Sequence, residues 1–378
     1  MTRIIQVTVD GLAGRSKPVS YELDKQTNIF YGPNGSGKTS ILRILFSALL
    51  DDVAHIRRVP FDRASVSYVD KEKDGVITRT ISSDKLVEIP IPAPTTFMTA
   101  NGPITLPINT PQRGWDSQGK GANEQIMVSY LSIFRLFGDQ TMNFWGGGQE
   151  SPYSESRLDQ QFFQLVHNRW VNYSNTLLTQ VRALQDEGIQ ALLGSLFVDS
   201  PKESERQTDK ANAYLSLSHF FESRNLAFNT SEIDFSKQFD SDFRIQKAVH
   251  DLESVEHKIS AVERPRRQLE DLVQRFLSTN KKIRFSEGSI DVLVGDKTID
   301  IGLLSSGEKH LLRILLECLS AYGNCIIVDE PELSLHIDWQ KELVPAMRTV
   351  NPDLQVIMAT HSPEILAGIG LNQIFELD

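Results

Sequence analysis

The sequence predicts an α/β chain, a mostly parallel sheet with helices on its faces, divided by a mainly helical insertion. Three observations carry this. Residues 28–50, NIFYGPNGSGKTSILRILFSALL, read as a strand, a glycine-rich loop and an apolar helix. From Lys282 onward short apolar strands alternate with segments of helix length, the pattern of parallel strands joined by helical crossovers. Between about residues 155 and 280 the apolar period becomes helical. The expected organisation is a first lobe at 1–150, the insertion at 151–280 and a second lobe at 281–378.

Taken in order, RIIQVTVDGL (3–12) alternates and PVSYELD (18–24) can pair with it. After the glycine loop, ASVSYVD (64–70), GVITRTIS (75–82) and LVEIPI (86–91) read as strands. Residues 98–124, rich in Pro, Gly, Thr and Asn, read as a long loop, followed by a helix over 125–137. FWGGGQESPYSES (144–156) reads as a boundary. Beyond it Phe162, Val166, Trp170, Tyr173, Leu177 and Leu184 form one helical stripe. Ile245, Ala248, Leu252, Val255, Ile259 and Val262 follow a heptad-like spacing, which Pro265 should kink or end before a further helix at 268–277. Strands KIRFS, IDVLVG and TIDIG then lead to a helix at 306–321, strand CIIVD, a helix at 338–348, strand LQVIMAT, a helix at 363–368 and strand QIFELD.

The 378 residues suffice for one large or two ordinary domains, with a globular composition of 40% hydrophobic and 23% charged residues. A formal net charge of −10 argues against a general nucleic-acid binder, although a local basic groove stays open. Cys318 and Cys325 have no metal or disulfide spacing, which suits a reducing cytoplasm. No leader-like segment and no apolar run of membrane-spanning length is present, so a cytoplasmic chain without a membrane partner is expected.

Three motifs carry chemistry. GPNGSGKT (Gly32, Pro33, Asn34, Gly35, Ser36, Gly37, Lys38, Thr39, then Ser40) matches G-x-x-x-x-G-K-[ST] between a strand and a helix. Its glycines let backbone N–H groups turn toward phosphate oxygens, with the helix N-terminus behind them. Lys38 would reach the β- and γ-phosphates and Thr39 would hold Mg²⁺. A glycine turn that merely caps a helix explains the composition but not the lysine and threonine at those places. In CIIVDEPELSLH (325–336) an apolar strand ends in Asp329 and Glu330. Two bare charges at a buried strand end are costly, unless Asp329 binds Mg²⁺ and Glu330 positions or deprotonates the attacking water. In VIMATHSPE, His361 follows a buried strand, where it would either be structural or sense a γ-phosphate.

With these residues in place the chain resembles the ABC-type ATPases of the SMC/RecF/OLD branch, over about 1–60 and 281–378. That implies a P-loop ATPase head with a split mixed sheet, hydrolysing ATP with Mg²⁺ between two subunits. LSSGE (304–308) looks like the branch's signature turn, with Ser306 in place of its first glycine. The resemblance implies that the Ser305 hydroxyl and the Gly307 amide face outward and cap the γ-phosphate of a second subunit. Lys309 is a further candidate phosphate contact, Gln112 and Gln118 are candidates for the Q-loop, and ELSLH (332–336) looks like the D-loop. The run DEPELSLHIDWQ is especially similar to the ATPase subunits of bacterial anti-phage systems, PtuA- and AriA-like. WGGGQ (145–149) mimics part of a signature but is better read as linker. HIRRVPFDR and ERPRRQ are better read as solvated or subunit-contact faces than as phosphate-backbone sites.

The resulting expectation is an ATP hydrolase, a homodimer or larger homo-oligomer. It would act as a sensor or switch for a separate effector, a TOPRIM or HNH nuclease or a toxin, because the chain ends at Asp378 without a nuclease domain of its own. The insertion would carry assembly or partner contacts. The alternatives are a RecF- or SMC-like DNA-repair ATPase, signalled by salt-sensitive DNA binding, and a transporter's nucleotide-binding subunit, against which the large insertion speaks.

Overall fold

The computed structural model describes residues 2–70, 75–88, 95–99, 102–106, 112–119, 129–131, 155–195, 210–222, 227, 229–277, 280–321 and 324–378. It has two compact units, Met1–Val171 with Gln268–Asp378, and Asn172–Arg267.

The first unit opens with β1 (Thr2–Asp10), β2 (Val19–Glu22), β3 (Thr27–Tyr31), α1 (Lys38–Leu50), β4 (Arg63–Asp70) and β5 (Gly75–Ser82). It continues through α2 (Ser83–Glu88), β6 (Thr95–Thr99), β7 (Gly102–Leu106), β8 (Asp116–Gln118) and β9 (Ser129–Leu131). An antiparallel sheet takes the order β2-β1-β4-β5-β8. Its strands β1, β4 and β5 alternate buried and half-buried residues, as a sheet with one well-covered face should.

The chain later returns with β10 (Lys281–Phe285), β11 (Ile290–Val294), β12 (Lys297–Ile299), α7 (Ser306–Ser320), β13 (Cys325–Asp329), α8 (Ile337–Val350), β14 (Gln355–Thr360) and β15 (Ile374–Glu376). The second main sheet has the order β15-β3-β14-β13-β9, and all its pairings are parallel. Every residue of β13 and β14 is buried, matching strands covered on both faces. One apolar core joins the two sheets through α1, whose Ile41, Leu42, Ile44, Leu45, Ala48 and Leu49 are all fully buried. A helix apolar on nearly all sides belongs between layers.

The far end of α1 is fixed by polar contacts. Fully buried Arg79 donates to the Ala48 and Leu49 carbonyls, placing a cation at the negative end of the helix. Trp115 Nε1 donates to Ser47 Oγ at 3.0 Å. Gln112 is here too: its carbonyl accepts from Val53 N at 2.9 Å and its side chain from Arg57. It therefore lies at the far end of α1 from the glycine loop, and Gln118 is the last residue of β8.

The helices between the two lobes are α3 (Glu155–Ser195), α4 (Lys210–Glu222), α5 (Glu232–Ser241) and α6 (Phe243–Phe276). The second unit has its own small core, with Ala213, Leu217 and Phe220 of α4, Phe235 and Phe239 of α5, and Val249 and Leu252 of α6.

Several elements differ from expectation. Of the expected strand LVEIPI, Leu86–Glu88 belong instead to helix α2, started by a serine and an aspartate suited to a helix N-terminus, and the rest lies outside the described residues. The expected loop at 98–124 includes the end of β6, its antiparallel partner β7, and β8. Within the expected 125–137 helix, Ser129–Leu131 is a strand, because pairing with the buried β13 overrides local preference. Helix α6 runs through Pro265 as one element, with buried Leu252 and Val255 before it and Leu269 and Leu272 after it. In place of a helix at 363–368 the chain makes tight turns closed by bonds to Pro363 and Glu364, ending at Gly368 with φ +82°. The boundary expected at 144–156 and the WGGGQ stretch lie outside the described residues, apart from the first residues of α3.

Candidate nucleotide site

The glycine loop leaves the end of β3, beside β14, and enters α1. Gly32 has φ +156°, and a Cβ there would lie 2.0 Å from the Leu377 carbonyl, so no other residue fits. Gly35 and Gly37 also take positive φ, turning the loop before the first turn of α1. Lys38 Nζ donates to the carbonyls of Gly32 at 2.8 Å and Pro33 at 2.9 Å, and lies 2.9 Å from His361 Nε2. Burial lowers the Lys38 ammonium's pKa, against the pull of Glu330, Asp329 and Glu332. Ser36 Oγ is buried without a hydrogen-bond partner among the described residues. Pro33, Asn34 and Gly35 are exposed at the loop's outer edge, while Thr39 and Ser40 are half-buried.

Strand β13 delivers the carboxylates. Thr39 Oγ1 donates to Asp329 Oδ1 at 3.1 Å. Burial pushes the Asp329 carboxyl up to about 6, with the Thr39 bond opposing this and the Glu330 charge adding to it. Glu330 has φ +48°, a left-handed conformation pinned by its N–H donating to the Ala359 carbonyl at 2.8 Å. Its carboxylate lies 3.6 Å from His361 Nε2. The two ends of the chain thus bring Lys38, Thr39, Asp329, Glu330 and His361 to one place at the carboxyl ends of β3, β13 and β14, where open α/β sheets bind ligands.

The expected signature residues engage in other contacts. Ser305 is the N-cap of α7. Its Oγ accepts from Glu308 N at 3.3 Å and its own N–H donates to Glu308 Oε2 at 2.7 Å, a capping box. The hydroxyl thus caps its own helix, and Ser305 and Ser306 are both exposed. Gly307 is buried rather than outward-facing: a Cβ there would lie 2.4 Å from the Ser334 carbonyl. Burial would raise the Glu308 carboxyl, but hydrogen bonds from Lys281 and from Ser305 bring it below its ordinary value. Lys309 Nζ pairs with Asp159 at 2.5 Å.

Sequence reasoning missed two contacts. An Arg15 N–H donates to the Ser36 carbonyl at 3.0 Å and supports the glycine loop from outside, a role with no signal in the sequence. Glu332 Oε1 accepts from His361 N at 2.6 Å. Its place two residues after Glu330 was the available hint.

His310, on α7, is buried with Nε2 donating to the Pro331 carbonyl at 3.1 Å. Burial pushes its pKa down to about 4, with the Pro331 bond opposing this. The folded chain therefore keeps it neutral where the unfolded chain would protonate it. Its contribution to stability is complete above pH 6.5 and is lost as pH falls from there toward 4, by about 3 kcal/mol in all. Denaturant midpoints measured over that window should fall less steeply for His310→Gln, which can still donate to Pro331. An unchanged slope would mean that His310 is not the acid-sensitive group.

The model of a protein family described as "AAA domain, putative AbiEii toxin, Type IV TA system" matches residues 135–367, well over half of the chain. The chain belongs to this family. An AAA domain is a P-loop ATPase module, and the family match spans α7, Asp329, Glu330 and His361. The glycine loop precedes the matched residues and is joined to them through Lys38–His361 and Thr39–Asp329.

Among curated proteins this AAA-domain chain is 27% identical over 128 residues to the Retron Vc95 probable ATPase of Vibrio cholerae, covering 29% of this chain and 25% of that protein. It is 25% identical over 125 residues to the Retron Ec83 probable ATPase of Escherichia coli, covering 29% and 23%. It is 32% identical over 118 residues to the Septu protein PtuA of Bacillus thuringiensis, covering 26% and 30%. The chain thus spans less than a third of the length of the curated relatives it matches. A solved Smc head domain from Pyrococcus furiosus aligns at TM-score 0.44 and 13% identity, over 100% of this chain and 93% of that one. Among the described residues no helix is long and apolar enough to cross a membrane.

Proposed function

We propose that this chain binds ATP with Mg²⁺ on the loop 32–39, hydrolyses it slowly between two copies of itself, and acts as a switch for a separate effector protein in anti-phage defence. The reading rests above all on the convergence of Lys38 and Thr39 with Asp329, Glu330 and His361. The names of the retron and Septu relatives support the biological setting, which also implies a cytoplasmic location. The effector would be a nuclease or a toxin.

The loop suits a polyphosphate. Amides at positive-φ glycines, the buried Ser36 hydroxyl and the Lys38 ammonium would bind its oxygens. Thr39 and Asp329 suit Mg²⁺, which takes few protein oxygens and completes its shell with water and phosphate. Consistent with that, no cage of three or more His, Cys, Asp or Glu occurs among the described residues. An Asp329 carboxyl raised to about 6 by burial is also one that a cation would hold charged. Mg²⁺ would supply neutralisation of phosphate charge. Glu330 would accept a proton from the attacking water, and His361 would donate to the terminal phosphate.

The signature turn would act in trans. Ser306, exposed like Ser305 but not part of the cap of α7, is the probe that leaves the helix start intact. Ser306→Arg should keep ATP binding but lose turnover. Mixed with Lys38→Ala subunits, it should regain turnover, since such a heterodimer holds one site with an intact loop from one chain and an intact signature from the other. Absence of recovery under subunit exchange would exclude the trans site, and absence of wild-type turnover would exclude the ATPase reading.

A further inference from the structure

We propose that Glu332 is a positioning residue for His361, and that the loop 331–336 couples the signature helix α7 to that histidine within one chain. The kinetic side of this rests on the ATPase reading above; the geometric side does not.

The loop joins β13 to α8, and each of its flanks is tied down. Toward the site, Glu332 Oε1 accepts from His361 N at 2.6 Å, a short charge-assisted bond. Gln340 of α8 makes a second tie. Its Oε1 accepts from Ser362 Oγ at 2.7 Å, and its Nε2 donates to the carbonyls of Leu335 at 2.9 Å and Glu332 at 3.4 Å. Residues 361 and 362 are thus each held by a side chain from the loop or from the helix that follows it. The His361 ring, so held, faces Lys38 Nζ at 2.9 Å and Glu330 Oε1 at 3.6 Å.

Toward α7, the Pro331 carbonyl accepts from His310 Nε2 at 3.1 Å. The Ser334 carbonyl fills the space that a side chain on Gly307 would need. Glu330 and Ser334 both have left-handed backbones, φ +48° and +66°, conformations that persist in non-glycine residues only when surrounding contacts hold them. The loop is thus held by Glu330 just before it and Ser334 within it, and tied on both sides. A displacement of α7 would carry Pro331 and Ser334 with it, and Glu332 would carry His361 away from Lys38 and Glu330.

The test uses the full chain with selectively ¹⁵N-labelled histidine. Glu332→Ala should lower kcat by about tenfold, the scale of a misplaced reacting group, while the ATP Kd moves by less than about threefold. In the nucleotide-free protein the His361 amide resonance should shift markedly, reporting loss of its carboxylate acceptor. Glu332→Gln keeps an oxygen within reach of that amide and should recover most of the kcat. If Glu332→Ala fails to fold, Glu332→Asp, one methylene short, carries the same expectation. An unmoved His361 amide, or an unchanged kcat, would overturn the proposal. If the wild-type chain shows no turnover the ATPase reading falls, and the nucleotide-free amide shift still decides the positioning role.

Discussion

Glu330→Gln should leave ATP bound and lower turnover by about 10²-fold or more, the usual scale for removing a general base. The amide has the shape of the carboxylate but cannot accept a proton. Two features make the variant informative. The backbone conformation of Glu330 is fixed by its N–H on the Ala359 carbonyl, a contact that the substitution does not touch. Asp329 and Thr39 remain in place, so phosphate and cation contacts should survive. The measurement is single-turnover hydrolysis beside equilibrium ATP binding. Wild-type turnover in the variant would make Glu330 a structural residue whose left-handed backbone shapes the strand end.

Lys38→Ala should weaken ATP binding at least tenfold, about 1.4 kcal/mol. The ammonium now donates to the Gly32 and Pro33 carbonyls and sits among Glu330, Asp329 and Glu332. Its removal therefore loosens the loop as well as deleting the charge that meets the phosphates, and both effects act in the same direction. Titration calorimetry on the folded variant decides it. An unchanged Kd would show that the nucleotide is bound elsewhere.

The parts of the fold that could be read from the sequence are those whose pattern is local. The loop from Gly32 to Thr39 is continuous in the sequence, and its three glycines take the positive φ that such a turn needs. The buried strands β13 and β14 are apolar runs that could hardly be anything else. What escaped depends on distant partners. Ser129–Leu131 becomes a strand because Ile326 and Val328 lie beside it, and nothing within its own three residues says so. Pro265 stays inside α6 although proline disfavours helix interiors by about 3 kcal/mol, because residues on both sides of it are buried. The signature turn was harder in another way. Ser305 both caps α7 and is exposed, and a sequence does not tell which of the two places a serine there. Likewise Gly307 reads as a conformational glycine, while its cause is the Ser334 carbonyl pressed against it.

The parallel sheet has a consequence for how the protein is made. Lys38 and His361 are 323 residues apart, Thr39 and Asp329 are 290 apart, and among the described residues β3 has β14 and β15 as its neighbours. On a ribosome adding about 5–20 residues per second, β3 waits on the order of tens of seconds for a partner. In that interval β1, β2, β4 and β5 can pair among themselves, but the loop 32–39 faces neither Asp329 nor His361. Contacts so distant in sequence also form slowly once the chain is complete. A nascent chain or one cut short before β13 therefore has the whole glycine motif and no working switch. For a protein proposed to act as a switch for a nuclease or a toxin, arming is thereby deferred until β13 and β14 have been made.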